Sequence, residues 1–317
     1  MKKILISFLI CISSNVCAYE LPEYLAIETG IHYSQIMDGG YDWLKDEKGG
    51  AVISNMRLTF TEKTPVISEL AYTTSFSGEF HAHEIQHNKE NPSYRELFIE
   101  LKSPFKTNFL SHETTWFLQF MRSSRQFSAV SDSAFILWDS VAVLEGSDIT
   151  FGQNHTYFAV AIDTPFETDS FLSYTRFGLF YFETIRGRSA NVHNSPNHHV
   201  LKIQERFGGF FYSFRRPVVS PRLTLDLRVA LGFGTQSIKA NTLGLSSGDF
   251  NASSFMASVN TGLGVNYRYP LTERLGISGN FQYNFETLIS LSREGNSSIK
   301  DSGDHKLRVG LTVDYYL

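Results

Sequence analysis

Six of the ten histidines fall in two short stretches, His81, His83 and His87 in one and His193, His198 and His199 in the other. Neutral imidazoles are good ligands for zinc, copper and nickel, so a loose divalent-metal site is one expectation here and solvated loop histidines are the other. The first stretch spells His83, Glu84, Ile85, Gln86, His87. On a helix, that spacing sets two histidines one turn apart to hold zinc, with the glutamate as base. Here Pro92 follows closely, no third ligand stands at the metzincin distance, and Glu96 and Glu100 belong to a strand pattern. A metalloprotease site is not expected.

A lipid hydrolase would need a serine beside a histidine base on a strand face, with a polar group orienting the ring. Ser111 with His112 and His193 with Ser195 come nearest, the first at the inner end of a predicted strand and the second in a loop beside Pro196. The acidic residues Asp38, Asp42, Asp46 and Glu47 lack EF-hand spacing and read as a solvated loop. Gly262 and Gly264 lie inside a strand pattern, without phosphate-binding context. No catalytic residue and no cofactor is expected.

The remaining charges are organised by a period of two. Leu223, Leu225, Leu227, Val229, Leu231 and Phe233 oppose Thr224, Asp226, Arg228, Ala230, Gly232 and Gly234. Similar alternation covers Val52 to Phe60, Val66 to Phe76, Leu97 to Leu101, Phe255 to Tyr269, Leu275 to Phe285 and Leu307 to Leu317. Fainter runs cover Tyr24 to Ile36, Glu113 to Arg122, His155 to Thr164, Phe171 to Phe182 and Val200 to Phe214. Period two marks a strand with one apolar and one polar face. In the last faint run Glu205 shares a face with Leu201 and Ile203, so a bulge is expected at Gly208 and Gly209. The count is about 12 strands.

The closing run, with Leu307, Val309, Leu311, Val313, Tyr315 and Leu317 against Lys306, Arg308, Gly310, Thr312, Asp314 and Tyr316, resembles the last strand of a Gram-negative outer-membrane β-barrel. That class usually ends in Phe or Trp, whereas this chain ends in Leu317. The resemblance implies an all-β fold, a transmembrane antiparallel up-and-down barrel of about 12 strands, placed in the bacterial outer membrane. Its partners would be the outer-membrane lipids and the outer-membrane insertion machinery; oligomeric state stays open.

Short connections at Glu62 to Pro65, Ser103 to Asn108, Thr164 to Asp169, Arg215 to Pro221 and Pro270 to Arg274 alternate with long ones. The long ones are Met37 to Gly50, Ser77 to Pro92, Ser123 to Asn154, Thr184 to His199, Gln236 to Ser253 and Thr287 to Asp304. In such barrels the short turns face the periplasm and the long loops face outward. Phe60, Tyr267, Tyr269 and Tyr315 then gather at one rim, as an aromatic girdle would. The longest loop carries Ala134, Phe135, Ile136, Leu137, Trp138, Val141, Val143 and Leu144. It is expected to fold inward or pack on the rim, or else to add a hairpin that raises the count to 14.

On this register Arg57, Glu69, Glu96, Glu100, Lys102, Arg176, Asp226, Arg228, Arg268, Glu286 and Arg308 point into the lumen. Charges there can set ion selectivity or pair and stabilise the wall. The expected function is a passive, porin-like channel for small polar solutes. The alternatives are a rim-sited lipid hydrolase and a closed barrel whose outer loops bind a partner or divalent metal.

Lys2 and Lys3 precede an apolar core from Ile4 to Ile12, and Val16, Cys17 and Ala18 precede Tyr19, which is the grammar of a cleaved secretory signal over residues 1–18. Residues 19–317 then form one barrel domain. Both cysteines leave with the signal, so no disulfide framework is expected. Losing Lys2 and Lys3 from 28 basic groups leaves them outnumbered by 32 acidic ones, a balance that does not suit nucleic acid. Cleavage after Ala18 predicts an exported polypeptide that begins at Tyr19, checked by intact mass and N-terminal sequencing; a chain retaining Met1 would overturn it.

Overall fold

The computed structural model describes residues 25–38, 47–60, 66–81, 87–88, 93–104, 107–109, 112–130, 134–137, 141–163, 174–191, 198–218, 220–242, 250–272, 274–291 and 302–316. Its strands are β1 (Leu25–Asp38), β2 (Glu47–Phe60), β3 (Ile67–His81), β4 (His87–Asn88), β5 (Ser93–Lys102), β6 (Thr107–Phe109), β7 (His112–Val130), β8 (Phe135–Leu137), β9 (Val141–Val143), β10 (Asp148–Asp163), β11 (Tyr174–Asn191), β12 (His198–Val218), β13 (Ser220–Thr242), β14 (Phe250–Pro270), β15 (Leu275–Ser290) and β16 (Ser302–Tyr316). Twelve of them, β1, β2, β3, β5, β7 and β10 to β16, pair antiparallel with their neighbours, and β16 pairs with β1 to close the barrel. The short β4 and β6 pair with β7.

Side chains alternate across this wall in an inside-out sense. Leu311, Ile31 and Phe233 face outward at 66%, 60% and 57% exposure, whereas the intervening Thr312 and His32 are each 4% exposed. Continuous outward rows such as Ile99, Phe120, Phe158 and Tyr181 follow the strand register. An apolar surface this extensive is what a hydrocarbon environment requires.

The structure revises the sequence reading in three places. No register shift occurs at Gly208 and Gly209; the shift in β12 lies between Pro217 and Val218. Ile203, Glu205, Phe207 and Phe211 are all buried on the inner face, so β12 keeps one register although its inner face mixes apolar and acidic side chains. The apolar loop does contain a hairpin, β8 with β9, but it forms a separate two-stranded sheet, and the wall stays at twelve strands. The strands also outrun their apolar stretches: β7, β12 and β13 have 19, 21 and 23 residues. Backbone pairing continues beyond the lipid-facing zone, where the outer face turns polar and the strict alternation fades.

Bulges re-aim particular side chains. The shift between Ile67 and Glu69 turns Ser68 into the lumen, where its hydroxyl donates to Glu100 Oε1 at 2.7 Å. At Gly310 a Cβ would run into both the His32 imidazole and the Ile31 carbonyl oxygen, so ring and backbone together occupy the space that glycine leaves. Overpacking of this kind costs about 1–3 kcal/mol. Gly310→Ala should therefore lower the temperature at which the folded band is lost in heat-modified electrophoresis, and His32→Ala in the same chain should restore only part of it, because the Ile31 carbonyl still meets the added Cβ.

Candidate functional site in the barrel lumen

The inner faces build a charged lattice around the lumen and an aromatic layer over β10 to β12, within which Arg186 and Glu205 form a buried pair at 3.5 Å. The layer runs over β10 to β12, with Phe182 and Phe207 stacked at 5.2 Å, Phe180 and Phe182 at 6.0 Å, and Tyr157 and Phe180 at 6.2 Å between ring centroids. Ile203, Ile238, Met256 and Leu288 extend it toward β15, all at most 4% exposed. Twelve strands enclose more space than eight, and these side chains fill part of the difference.

Glu100 is a hub of the charged lattice. It is 2% exposed and accepts from Ser68 Oγ at 2.7 Å, Gln119 Nε2 at 2.7 Å and Arg176 Nη1 at 2.5 Å. Its donors come from β3, β7 and β11, so one carboxylate ties three strands through the lumen. Arg176 also lies over the Phe117 ring, 4.0 Å from its centroid. Further out, Lys306 on β16 reaches across to β5, donating to Tyr94 Oη at 3.1 Å and standing 3.8 Å from Glu96. Tyr94 in turn donates to Glu96. Arg228 donates to Tyr157 Oη at 2.5 Å, a bond between β13 and β10.

Among the described residues, the lumen holds cavities of about 440 and 90 Å³. Asn55, Arg57, Arg215, Asp226, Gln282 and Arg308 line both, forming a waist between them. Arg57 pairs with Glu69 at 3.1 Å and Glu28 at 3.5 Å, Arg215 pairs with Asp226 at 2.5 Å, and Arg308 stands 4.0 Å from Glu96. The waist thus carries three guanidiniums and one carboxylate of its own. Below it, Arg268 lies 3.6 Å from Asp314, which also accepts from Ser278 and Thr312.

Of the charges expected to face inward, Arg57, Glu69, Glu96, Glu100, Arg176, Asp226, Arg228, Glu286 and Arg308 line the larger cavity and Arg268 the smaller. Lys102 lines neither: it ends β5 at the short-turn rim, its backbone N–H donating to Val66 O at 2.7 Å. The sequence reading missed Glu28, Tyr94, Arg215, Lys306 and Asp314. Lys306 and Asp314 share parity with Arg308, which would have found them. Arg215 was assigned to the short connection from Arg215 to Pro221, whereas β12 runs on to Val218.

His83 and His193 lie outside the described residues, as do the side chains of His81, His87, His198 and His199. The same holds for Ser111, Ser195 and the side chain of His112. Among the described residues no cluster of three or more His, Cys, Asp or Glu is placed to hold a metal.

These features define the fold of an outer-membrane β-barrel. The structure is similar to the translocator domain of the autotransporter NalP from Neisseria meningitidis, with a TM-score of 0.52 and 10% sequence identity over 100% of this chain and 96% of that one. It is also similar to the outer-membrane protease OmpT from Escherichia coli, with a TM-score of 0.41 and 7% identity over 94% of this chain and 98% of that one. No protein-family model and no curated protein matches the sequence.

Removing one partner of a buried charge pair costs about 3–5 kcal/mol, because the other charge is left uncompensated. Glu100→Ala should thus destabilise the barrel on that scale in urea unfolding from detergent. Adding Arg176→Met should recover part of the loss, whereas additive losses would show that the pair is not coupled.

Proposed function

We propose that the chain resides in the bacterial outer membrane and acts as a narrow passive channel for small polar solutes, with a preference for anions. The observation that carries this reading is the waist shared by the two cavities, where Arg57, Arg215 and Arg308 face a single carboxylate, Asp226. An anion crossing it exchanges part of its water shell for guanidinium donors, while a cation meets unfavourable charge. The acidic partners Glu28, Glu69 and Glu96 hold the arginines in place from adjoining levels, which keeps the opening fixed. Transport is diffusive and uses no cofactor. The β8–β9 hairpin stands at the outer mouth in this reading and narrows access to it.

The aromatic layer and the ties from Lys306 to Tyr94 and from Arg228 to Tyr157 favour a second reading, a closed barrel whose work is done by its outer loops. Planar-bilayer recordings of the refolded mature chain separate the two. The channel reading expects steady conductance with a reversal potential on the anion side in a salt gradient. Removing one unit charge about 7 Å from the ion path changes its energy by roughly 0.6 kcal/mol in water, about threefold in permeability ratio. Arg308→Gln should lower the anion preference by that factor. A silent bilayer with insertion confirmed, or a preference that Arg308→Gln leaves unmoved, would reject the channel reading.

A further inference from the structure

The lipid-facing belt is lopsided. On β13 it comprises six outward side chains, Leu223 to Phe233, which at the usual strand tilt span about 25 Å, the height of an outer-membrane apolar band. On β7 only Trp116, Leu118 and Phe120 precede a charge, Arg122, and the apolar span is about 10 Å. On neighbouring β5, Leu101, Ile99 and Leu97 precede Arg95. Both arginines face outward and are exposed.

Arg95 pairs in register with Ser124, two residues from Arg122, so the two side chains leave the wall as diagonal neighbours, their Cα atoms about 7–8 Å apart. Their cross-strand neighbours, Leu97, Ser124 and Thr156, carry no charge. The first acidic group along the outward row is Glu183, beyond Thr156 on β11. It is already engaged by Arg206 Nε at 2.8 Å and Gln204 Nε2 at 2.6 Å. Among the described residues neither Arg95 nor Arg122 has an ion-pair partner. Two like charges side by side at the edge of an apolar surface repel one another unless an anion lies between them.

We propose that Arg95 and Arg122 bind the phosphate of an outer-leaflet glycolipid, lipid A, whose acyl chains lie on the short apolar face below. Guanidinium forks match phosphate oxygens bidentately, and two of them can converge on one group. The apolar row beneath the pair continues the belt through Ile99, Phe120 and Phe158, so the same molecule meets hydrocarbon at one end and cations at the other. The headgroup is held closer to the periplasmic end on this side than on the β13 side, matching the shortened belt.

Native mass spectrometry of the refolded full chain in detergent tests this with bisphosphorylated lipid A, its dephosphorylated form and phosphatidylglycerol. The wild type should retain bisphosphorylated lipid A in preference to the other two, and Arg95→Gln/Arg122→Gln should bind it about tenfold more weakly, the loss expected for charge-assisted hydrogen bonds. Arg95→Lys/Arg122→Lys should recover part of the affinity, and Arg206→Gln, whose cation is already paired, should leave it unchanged. Heat-modified electrophoresis establishes that each variant is folded. Equal retention of dephosphorylated lipid A or of phosphatidylglycerol, unchanged binding in the double Gln variant, or equal loss in Arg206→Gln would overturn the proposal. A dimer that the double variant disperses, with no lipid retained by either form, would also overturn it and assign the face to a second copy of the chain.

Discussion

The hydrogen bonds between β1 and β16 are what the rest of the molecule depends on. Hydrocarbon offers backbone N–H and C=O groups no partner, and each one left unsatisfied there costs several kcal/mol. A sheet of twelve strands with two free edges would expose two such rows. Register from Ala26 with Tyr316 to Asp38 with Asp304 removes both at once. Closure in turn creates a lumen, and the strand period of two then separates the chain into lipid-facing and lumen-facing halves.

Those halves follow different chemistry. The outer half is close to uniform over its apolar zone, because lipid makes the same demand at every position. The inner half is heterogeneous. An aromatic layer around Phe182 and Phe207 excludes water from the wall of β10 to β12, and the charged groups that face the lumen must find partners within the barrel. They do so across strands that are distant in the wall: Arg176 with Glu100, Lys306 with Glu96, Arg228 with Tyr157. Buried ion pairs contribute little net stability, and a barrel whose only purpose was to close could fill its lumen with aliphatic side chains instead. The cavities and the arginine-bearing waist are left where the packing is charged.

The same division governs what could be read in the sequence. Strands such as Leu223 to Phe233 are legible because lipid imposes strict alternation, and their inward charges, Asp226 and Arg228, follow by parity alone. Ile203, Phe207 and Phe211 misled, since an apolar residue facing a packed lumen looks the same in sequence as one facing lipid. The outer parts of β7, β10 and β11 fall in stretches expected to be loops because, beyond the apolar zone, neither face must be apolar and the periodicity fades while the ladder goes on. Which charge pairs with which is a property of the closed barrel's diameter and shear, and no local pattern encodes it. Glu100 and Arg176, 76 residues apart, were each placed inward, yet their contact became visible only in three dimensions.

The bond from Lys306 to Tyr94 spans 212 residues of sequence. Contacts of such separation form slowly, because the loop-closure entropy is lost before the contact rewards it. Until β16 has docked, Glu96 lacks both of its cations, Lys306 and Arg308, and the β5 side of the lumen holds a carboxylate with no counter-charge. A barrel that lacks only its final strand is therefore open along one seam and also electrostatically unfinished opposite that seam. Arrival of the last strand completes both, so the final step of assembly is cooperative across the full width of the molecule.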